Sequence, residues 1–179
     1  TDLIKYKISS LSGVPYFYEI LKKVKFENFN LKYIKYFTQA GGPLHHKLAS
    51  HFINYCQKNN KKFIIMYGQT EATSRISYLN WKYANKKISS IGKAIPGGKL
   101  TLKKKKKNDD FGELIYYGKN VSMGYSNNYN DLKKKDYNKG ILKTGDLAKK
   151  DNNGFFYIIG RKNRIVKIFG HRISLDDLE

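Results

Sequence analysis

The apolar positions Val14, Phe17, Tyr18, Leu21 and Val24 recur at three- and four-residue spacing, which places them along one stripe of a helix. Pro15 has a preset φ and no N–H to lose, so it suits the first turn of that helix. Leu44, Leu48 and Phe52, joined by Ala49, Ile53 and Cys56, predict a second amphipathic helix stopping near Asn59 and Asn60. Between the two, a short strand is expected over 34–38, leading into Gly41-Gly42-Pro43. The run Phe63-Ile64-Ile65-Met66-Tyr67 is apolar at every position, the pattern of a strand buried on both faces. Strand, helix and strand in this order predict a parallel α/β unit whose loops beyond the strand ends face a crevice.

Beyond about Ile91 the pattern changes. Short strand-like segments at 99–102, 113–117 and 155–159 are separated by Gly, Asn and Asp clusters, which predicts hairpins. Asp151-Asn152-Asn153-Gly154 is the turn expected between 147–150 and 155–159. Ser174, followed three residues later by Asp177, marks a helix start. The expected class is α/β: a parallel α/β unit (1–90), a β-rich hairpin or barrel subdomain (91–160), then the start of a small α+β domain (161–179). Because the chain opens on Thr1 and stops just after a helix-start signal, it is expected to be a piece of a longer protein.

The formal charge of +21 raises the question of nucleic acid or an anionic surface. Of 35 basic residues only Arg75, Arg161, Arg164 and Arg172 are arginine. Bidentate recognition of phosphates and base edges favours Arg, so a Lys surplus spread over turns and helix faces points to compositional drift rather than a nucleic-acid partner. The run Lys103 to Lys107 with Asn108-Asp109-Asp110 is expected to be a solvated hairpin tip. Cys56 is the only cysteine, which excludes an intrachain disulfide and suits a reducing cytoplasm. Apolar runs fall far short of the roughly 20 residues of a membrane-spanning helix. His45, His46, His51 and His171 lack metal-ligand spacing.

Two clusters carry candidate chemistry. Tyr67-Gly68-Gln69-Thr70-Glu71 follows the buried strand: Tyr67 offers a flat face for a purine, Thr70 a hydroxyl for a phosphate oxygen, and Glu71 a hard oxygen ligand for Mg²⁺. The same pattern also fits an ordinary strand exit. In the second, Thr144-Gly145-Asp146 and Gly160-Arg161 flank the hairpin turn. A carboxylate accepts two hydrogen bonds from a ribose diol, and an adjacent Arg donates to the same hydroxyls. Asp146 as a turn former and Arg161 as a surface ion-pair partner are the competing readings.

The ordered set Gly41-Gly42-Pro43-Leu44, YGQTEAT (67–73), IGKAIPGG (91–98), GELIYYGKNVSMGY (112–125) and LKTGDLAKKDNNGFFYIIGRKNRIVKIFGHRISLDDLE (142–179) resembles the adenylate-forming (AMP-binding) enzymes. These include acyl-CoA synthetases, peptide-synthetase adenylation domains and luciferases, and the resemblance covers essentially the whole chain. It implies that Gly41, Gly42 and Pro43 line the adenine and acyl pocket, with glycine permitting close backbone approach. Tyr67 is the residue stacking on adenine, Gly68 and Thr70 belong to the phosphate-side motif, and Glu71 holds Mg²⁺. Asp146 and Arg161 form the ribose pair; Arg172 approaches the phosphates in one conformation, and Lys167 lies nearby. Ser74, Arg75 and Ile76 line part of the acid pocket.

The implied reaction is activation of a carboxylic acid by ATP, then acyl transfer to a thiol, either CoA or the phosphopantetheine of a carrier protein. Two departures qualify it. The hinge position is Asn163 where Asp or Lys is common, and the upstream phosphate loop and downstream catalytic Lys lie outside these residues, so the 179 residues alone are expected to be inactive. A catalytically silent nucleotide-binding relative and a Lys-rich nucleic-acid or anionic-surface binder are the alternatives.

Overall fold

A computed structural model describes residues 2–162 and the backbone of two short strands, 165–168 and 171–174. The chain forms two compact units, Thr1–Tyr67 with Tyr78–Gly92, and Gly68–Ser77 with Lys93–Glu179.

In the first unit a short helix α1 (Asp2–Lys5) precedes β1 (Ser10–Gly13), α2 (Pro15–Lys23), β2 (Tyr36–Gln39), α3 (His46–Lys58) and β3 (Lys62–Tyr67). Strands β1, β2 and β3 are parallel, in register Ser10↔Tyr36 and Tyr36↔Lys62, and β4 (Ser77–Leu79) lies beyond β3. Both predicted helices form, Pro15 at the first turn of α2 and Asn59 ending α3. The strand expected over 34–38 forms two residues later, because Ile34 closes a turn onto Leu31. Strand β1 was not predicted: Ser10-Leu11-Ser12-Gly13 has no apolar run, and pairing with β2 holds it, Thr38 Oγ1 donating to Ser12 Oγ at 2.7 Å.

The core of this unit is aromatic. Tyr18 of α2 sets its ring edge-on to Phe52 of α3 (4.9 Å) and Phe63 of β3 (5.3 Å), while Phe26 stacks on Phe52 at 4.7 Å. Each such ring contributes on the order of 1.5–3 kcal/mol through burial. The Tyr18 hydroxyl stays satisfied by donating to Thr38 O at 2.6 Å. Cys56 packs into the same layer, and burial pushes its thiol up to about 12, with Lys61 opposing the shift. This cysteine is therefore a core hydrophobe and a poor nucleophile.

Strand β3 departs from the expectation of burial on both faces: Phe63 and Ile65 are buried against the helices, whereas Ile64, Met66 and Tyr67 are half-buried. Its alternation follows from the two-residue period of a pleated strand, with α3 covering one face. Among the histidines, the ring of His45 caps α3 by accepting from Lys47 N at 3.3 Å, and His51 meets Glu27 at 2.6 Å.

The second unit begins with the 68–77 segment and β5 (Lys93–Ala94), then builds an antiparallel sheet from β6 (Lys99–Lys103), β7 (Phe111–Tyr117), β8 (Ile141–Lys150) and β9 (Phe156–Arg161). The expected turn joins β8 to β9: Asp151 Oδ1 accepts from Asn153 N and Phe155 N at 3.0 and 2.9 Å, and Gly154, at φ 83°, closes it. Strands β10 (Ile165–Ile168) and β11 (His171–Ser174) form an antiparallel pair. The fold is thus the expected mixed α/β class. No described helix is long and apolar enough to cross a membrane.

Candidate functional site

Strand β8 alternates strictly, with Leu142, Thr144, Asp146 and Ala148 turned inward. A carboxylate at an inward position is costly unless partnered, and Asp146, 5% exposed, is partnered on both oxygens. Gln69 Nε2 donates to Oδ2 at 3.1 Å, and Arg161 Nε lies 3.2 Å from Oδ1. Beneath the carboxylate, Thr144 Oγ1 accepts from Asp146 N at 3.1 Å and donates to Leu114 O at 2.8 Å.

A one-residue bulge brings Arg161 there. From the turn the β8–β9 ladder runs Lys150↔Phe156, Lys149↔Tyr157 and Ala148↔Ile158, then shifts so that Leu147 faces Gly160 and Asp146 faces Arg161. Continued unshifted, it would have set Gly160 opposite Asp146 and sent the Arg161 side chain to the other face, since side chains alternate with period two. Gly160, at φ 140°, absorbs the irregularity.

The 68–77 segment leaves β3 through Gly68 and folds into a 3-10 turn, Thr70–Ala72, followed by Thr73 and Ser74 in the left-handed region (φ 55° and 61°). Two consecutive non-glycine residues there store strain of order 1–3 kcal/mol each, and the surroundings hold them. Ser74 N donates to Gln69 O at 3.0 Å, Asn120 Nδ2 donates to Ala72 O and Arg75 O at 2.8 and 3.2 Å, and Ser122 N donates to Glu71 O at 2.7 Å. The Tyr116 hydroxyl in turn orients Asn120 at 2.7 Å. A Cβ on Gly68 would lie 2.3 Å from Ser74 O, so this position requires glycine.

This turn presents Thr70, exposed, and Glu71, half-buried. The Tyr125 hydroxyl donates to Glu71 Oε1. That hydrogen bond, a backbone hydrogen bond and the nearby Arg161 charge hold the Glu71 carboxyl below the usual glutamate range, against the opposing effect of burial. Its contribution to folding is therefore present above the ordinary glutamate pKa and is lost as pH falls through the lowered one. Glu71 is a charged oxygen donor at neutral pH, the chemistry a hard divalent cation requires.

The second unit thus assembles Gln69, Thr70, Glu71, Asp146 and Arg161, two stretches about 75 residues apart, Gln69 Nε2 also donating to Thr144 O at 2.8 Å. Gly41, Gly42, Pro43 and Tyr67 belong to the first unit. There Gln39 Nε2 donates to Gly42 O at 2.7 Å. A Cβ on Gly41 (φ 82°) would come 3.0 Å from Val14 Cγ1, so the close approach glycine permits at this position is to the start of α2. Lys167 and Arg172 are register partners across β10 and β11, and Asn163 lies outside the described residues. Sequence reasoning named Glu71, Asp146 and Arg161 but missed Gln69, Asn120 and Tyr125. The other three stand inside the quoted motifs without a role, because the groups they hold, Asp146 and Thr144 for Gln69, Ala72 and Arg75 for Asn120 and Glu71 for Tyr125, lie 45 to 77 residues away.

The family model for AMP-binding enzymes matches residues 1–126. The 2-succinylbenzoate–CoA ligase of Listeria innocua is 27% identical over 173 residues, covering 97% of this chain and 34% of that protein. The luciferin 4-monooxygenase of Photuris pensylvanica is 27% identical over 186 residues, covering 99% and 33% respectively. Among solved structures, o-succinylbenzoate coenzyme A synthetase from Bacillus subtilis, in complex with ATP and magnesium ion, superposes with a TM-score of 0.78 at 25% identity, over 97% of this chain and 36% of that one. The chain therefore spans about a third of the length of these relatives. With the family model covering more than half of its residues, the chain belongs to the AMP-binding enzyme family.

Proposed function

We propose that these residues are part of an ATP-dependent carboxylate–AMP ligase that passes the acyl group to a thiol, CoA or a carrier-protein phosphopantetheine. The observation that carries this reading is the inward Asp146 carboxylate, held between Gln69 and Arg161 in the same unit as the charged Glu71. A ribose diol and a metal-bound phosphate chain are the two ends of one nucleotide. The Listeria relative is named a 2-succinylbenzoate–CoA ligase and the Bacillus one an o-succinylbenzoate coenzyme A synthetase, which supports acid–thiol ligation here.

In this reading Asp146 and Arg161 receive the ribose hydroxyls, and Tyr67 receives the adenine with the loop of Gly41, Gly42 and Pro43. Thr70 hydrogen-bonds a phosphate oxygen, and Glu71 holds Mg²⁺, which neutralises phosphate charge when bound. With the nucleotide fixed, a carboxylate oxygen of the acid attacks the α-phosphorus and the bond to the departing pyrophosphate breaks. In the second half-reaction the thiol sulfur attacks the acyl carbonyl, and AMP leaves with the electron pair of the broken C–O bond. Positioning and charge neutralisation supply most of the first step. Lys167 and Arg172 belong to the segment that brings a cation toward the phosphates, pivoting about Asn163.

The test is a Mg²⁺ titration of ATP binding by the full-length protein. Glu71→Gln keeps an acceptor for the Tyr125 hydroxyl but removes the anionic ligand, and it is expected to raise the Mg²⁺ concentration needed for half-maximal binding by about tenfold or more. An unchanged Mg²⁺ requirement would remove Glu71 from the metal site.

A further inference from the structure

We propose that Gln69 is the positioning residue for ribose recognition: its carboxamide fixes the Asp146 carboxylate and so sets the preference for ribonucleotides over deoxyribonucleotides. The inference rests on the assignment of Asp146 and Arg161 to the ribose.

Gln69 Nε2 reaches two groups, Thr144 O at 2.8 Å and Asp146 Oδ2 at 3.1 Å. A main-chain carbonyl and a carboxylate are both acceptors, so only the NH₂ end of the carboxamide can face them, and its orientation is settled by chemistry. One N–H ties Gln69 to the β8 backbone and the other to the carboxylate. Arg161 Nε, 3.2 Å from Oδ1, holds the opposite oxygen. A carboxylate clamped at both oxygens cannot turn about its Cβ–Cγ bond, and since it accepts about four hydrogen bonds, the clamp is compatible with accepting from a vicinal diol.

The two clamps differ in stiffness. The Arg161 side chain is 63% exposed, at the end of a long flexible stem. Gln69 is half-buried and shorter, and it stands next to the 3-10 turn pinned by Asn120 and Ser122. It is also two residues from Glu71, so it ties the turn carrying the metal-side carboxylate to the strand carrying the ribose-side one. Ribose and phosphate positions are thereby set in a single frame.

The experiment measures the Kd of ATP, 2′-deoxy-ATP and 3′-deoxy-ATP for the full-length protein and its variants. Gln69→Leu keeps bulk without donors and is expected to weaken ATP about tenfold while leaving the deoxy analogues within about twofold, so that discrimination collapses. Gln69→Asn keeps the carboxamide but is one methylene short of the carboxylate, and the same collapse is expected; it serves if Gln69→Leu does not fold. Discrimination that stays at the wild-type ratio in either variant, even with all three nucleotides weakened alike, would reduce Gln69 to packing and overturn the proposal. Asp146→Ala separates the levels. If it abolishes discrimination while both Gln69 variants retain it, only the Gln69 role fails; if Asp146→Ala itself discriminates normally, the ribose assignment is wrong and the Gln69 role falls with it.

Discussion

Replacing Gly68 with Ala is expected to lower adenylate formation by the full-length protein at least about a hundredfold, the loss that a displacement near 1 Å at a reacting centre produces. The new Cβ would sit 2.3 Å from Ser74 O, 2.4 Å from Ser74 C and 2.6 Å from Arg75 N, all backbone atoms that no side-chain rotation can clear. The Thr70–Ala72 turn must give way instead. That turn has little freedom, because Thr73 and Ser74 already occupy the left-handed region and Asn120 holds the carbonyls of Ala72 and Arg75. Displacement therefore passes to Thr70 and Glu71, and folding stability should fall by about 1–3 kcal/mol. Single-turnover kinetics together with thermal denaturation check both effects, and wild-type turnover in Gly68→Ala would show that the turn is not held as described.

Asp146→Ala carries the second large effect, expected mainly on nucleotide affinity. Arg161 is mostly exposed, so its pair with Asp146 contributes at most about 1 kcal/mol to folding. A ligand diol hydrogen-bonded to the buried carboxylate contributes more, about 1.5–3 kcal/mol for a charged acceptor. Weakening of ATP by roughly 10- to 150-fold in equilibrium binding is the expected result. Unchanged affinity would leave Asp146 as a turn residue with a surface partner.

Much of the fold was legible because it is written locally. The helices α2 and α3 and the turn at Asp151–Gly154 follow from residue spacing and turn chemistry and form where expected, although Val14 and Val24, the two ends of the α2 stripe, flank the helix and are exposed. Strand β1 was illegible because pairing with β2, rather than its own residues, holds it. The site divides in the same way. Glu71 and Asp146 stand in recognisable motifs, whereas the register that sets Arg161 opposite Asp146 depends on a one-residue bulge. Equally hidden was the clamp of Gln69, since its acceptors are 75 and 77 residues away and any half-buried polar side chain could have stood there as far as local sequence shows. Tyr125 closes the motif GELIYYGKNVSMGY with no role assigned to it, and only folding places its hydroxyl on Glu71.

Carboxylate activation by a protein containing these residues is read out by acid-dependent exchange of labelled pyrophosphate into ATP by the full-length protein across a panel of carboxylic acids. Exchange above background is expected with at least one acid, dependent on Mg²⁺, strongly reduced in Asp146→Ala, and absent from the isolated 179 residues. A full-length protein that binds ATP but exchanges pyrophosphate with no acid, or an isolated 179-residue chain that exchanges it robustly, would contradict the proposed function.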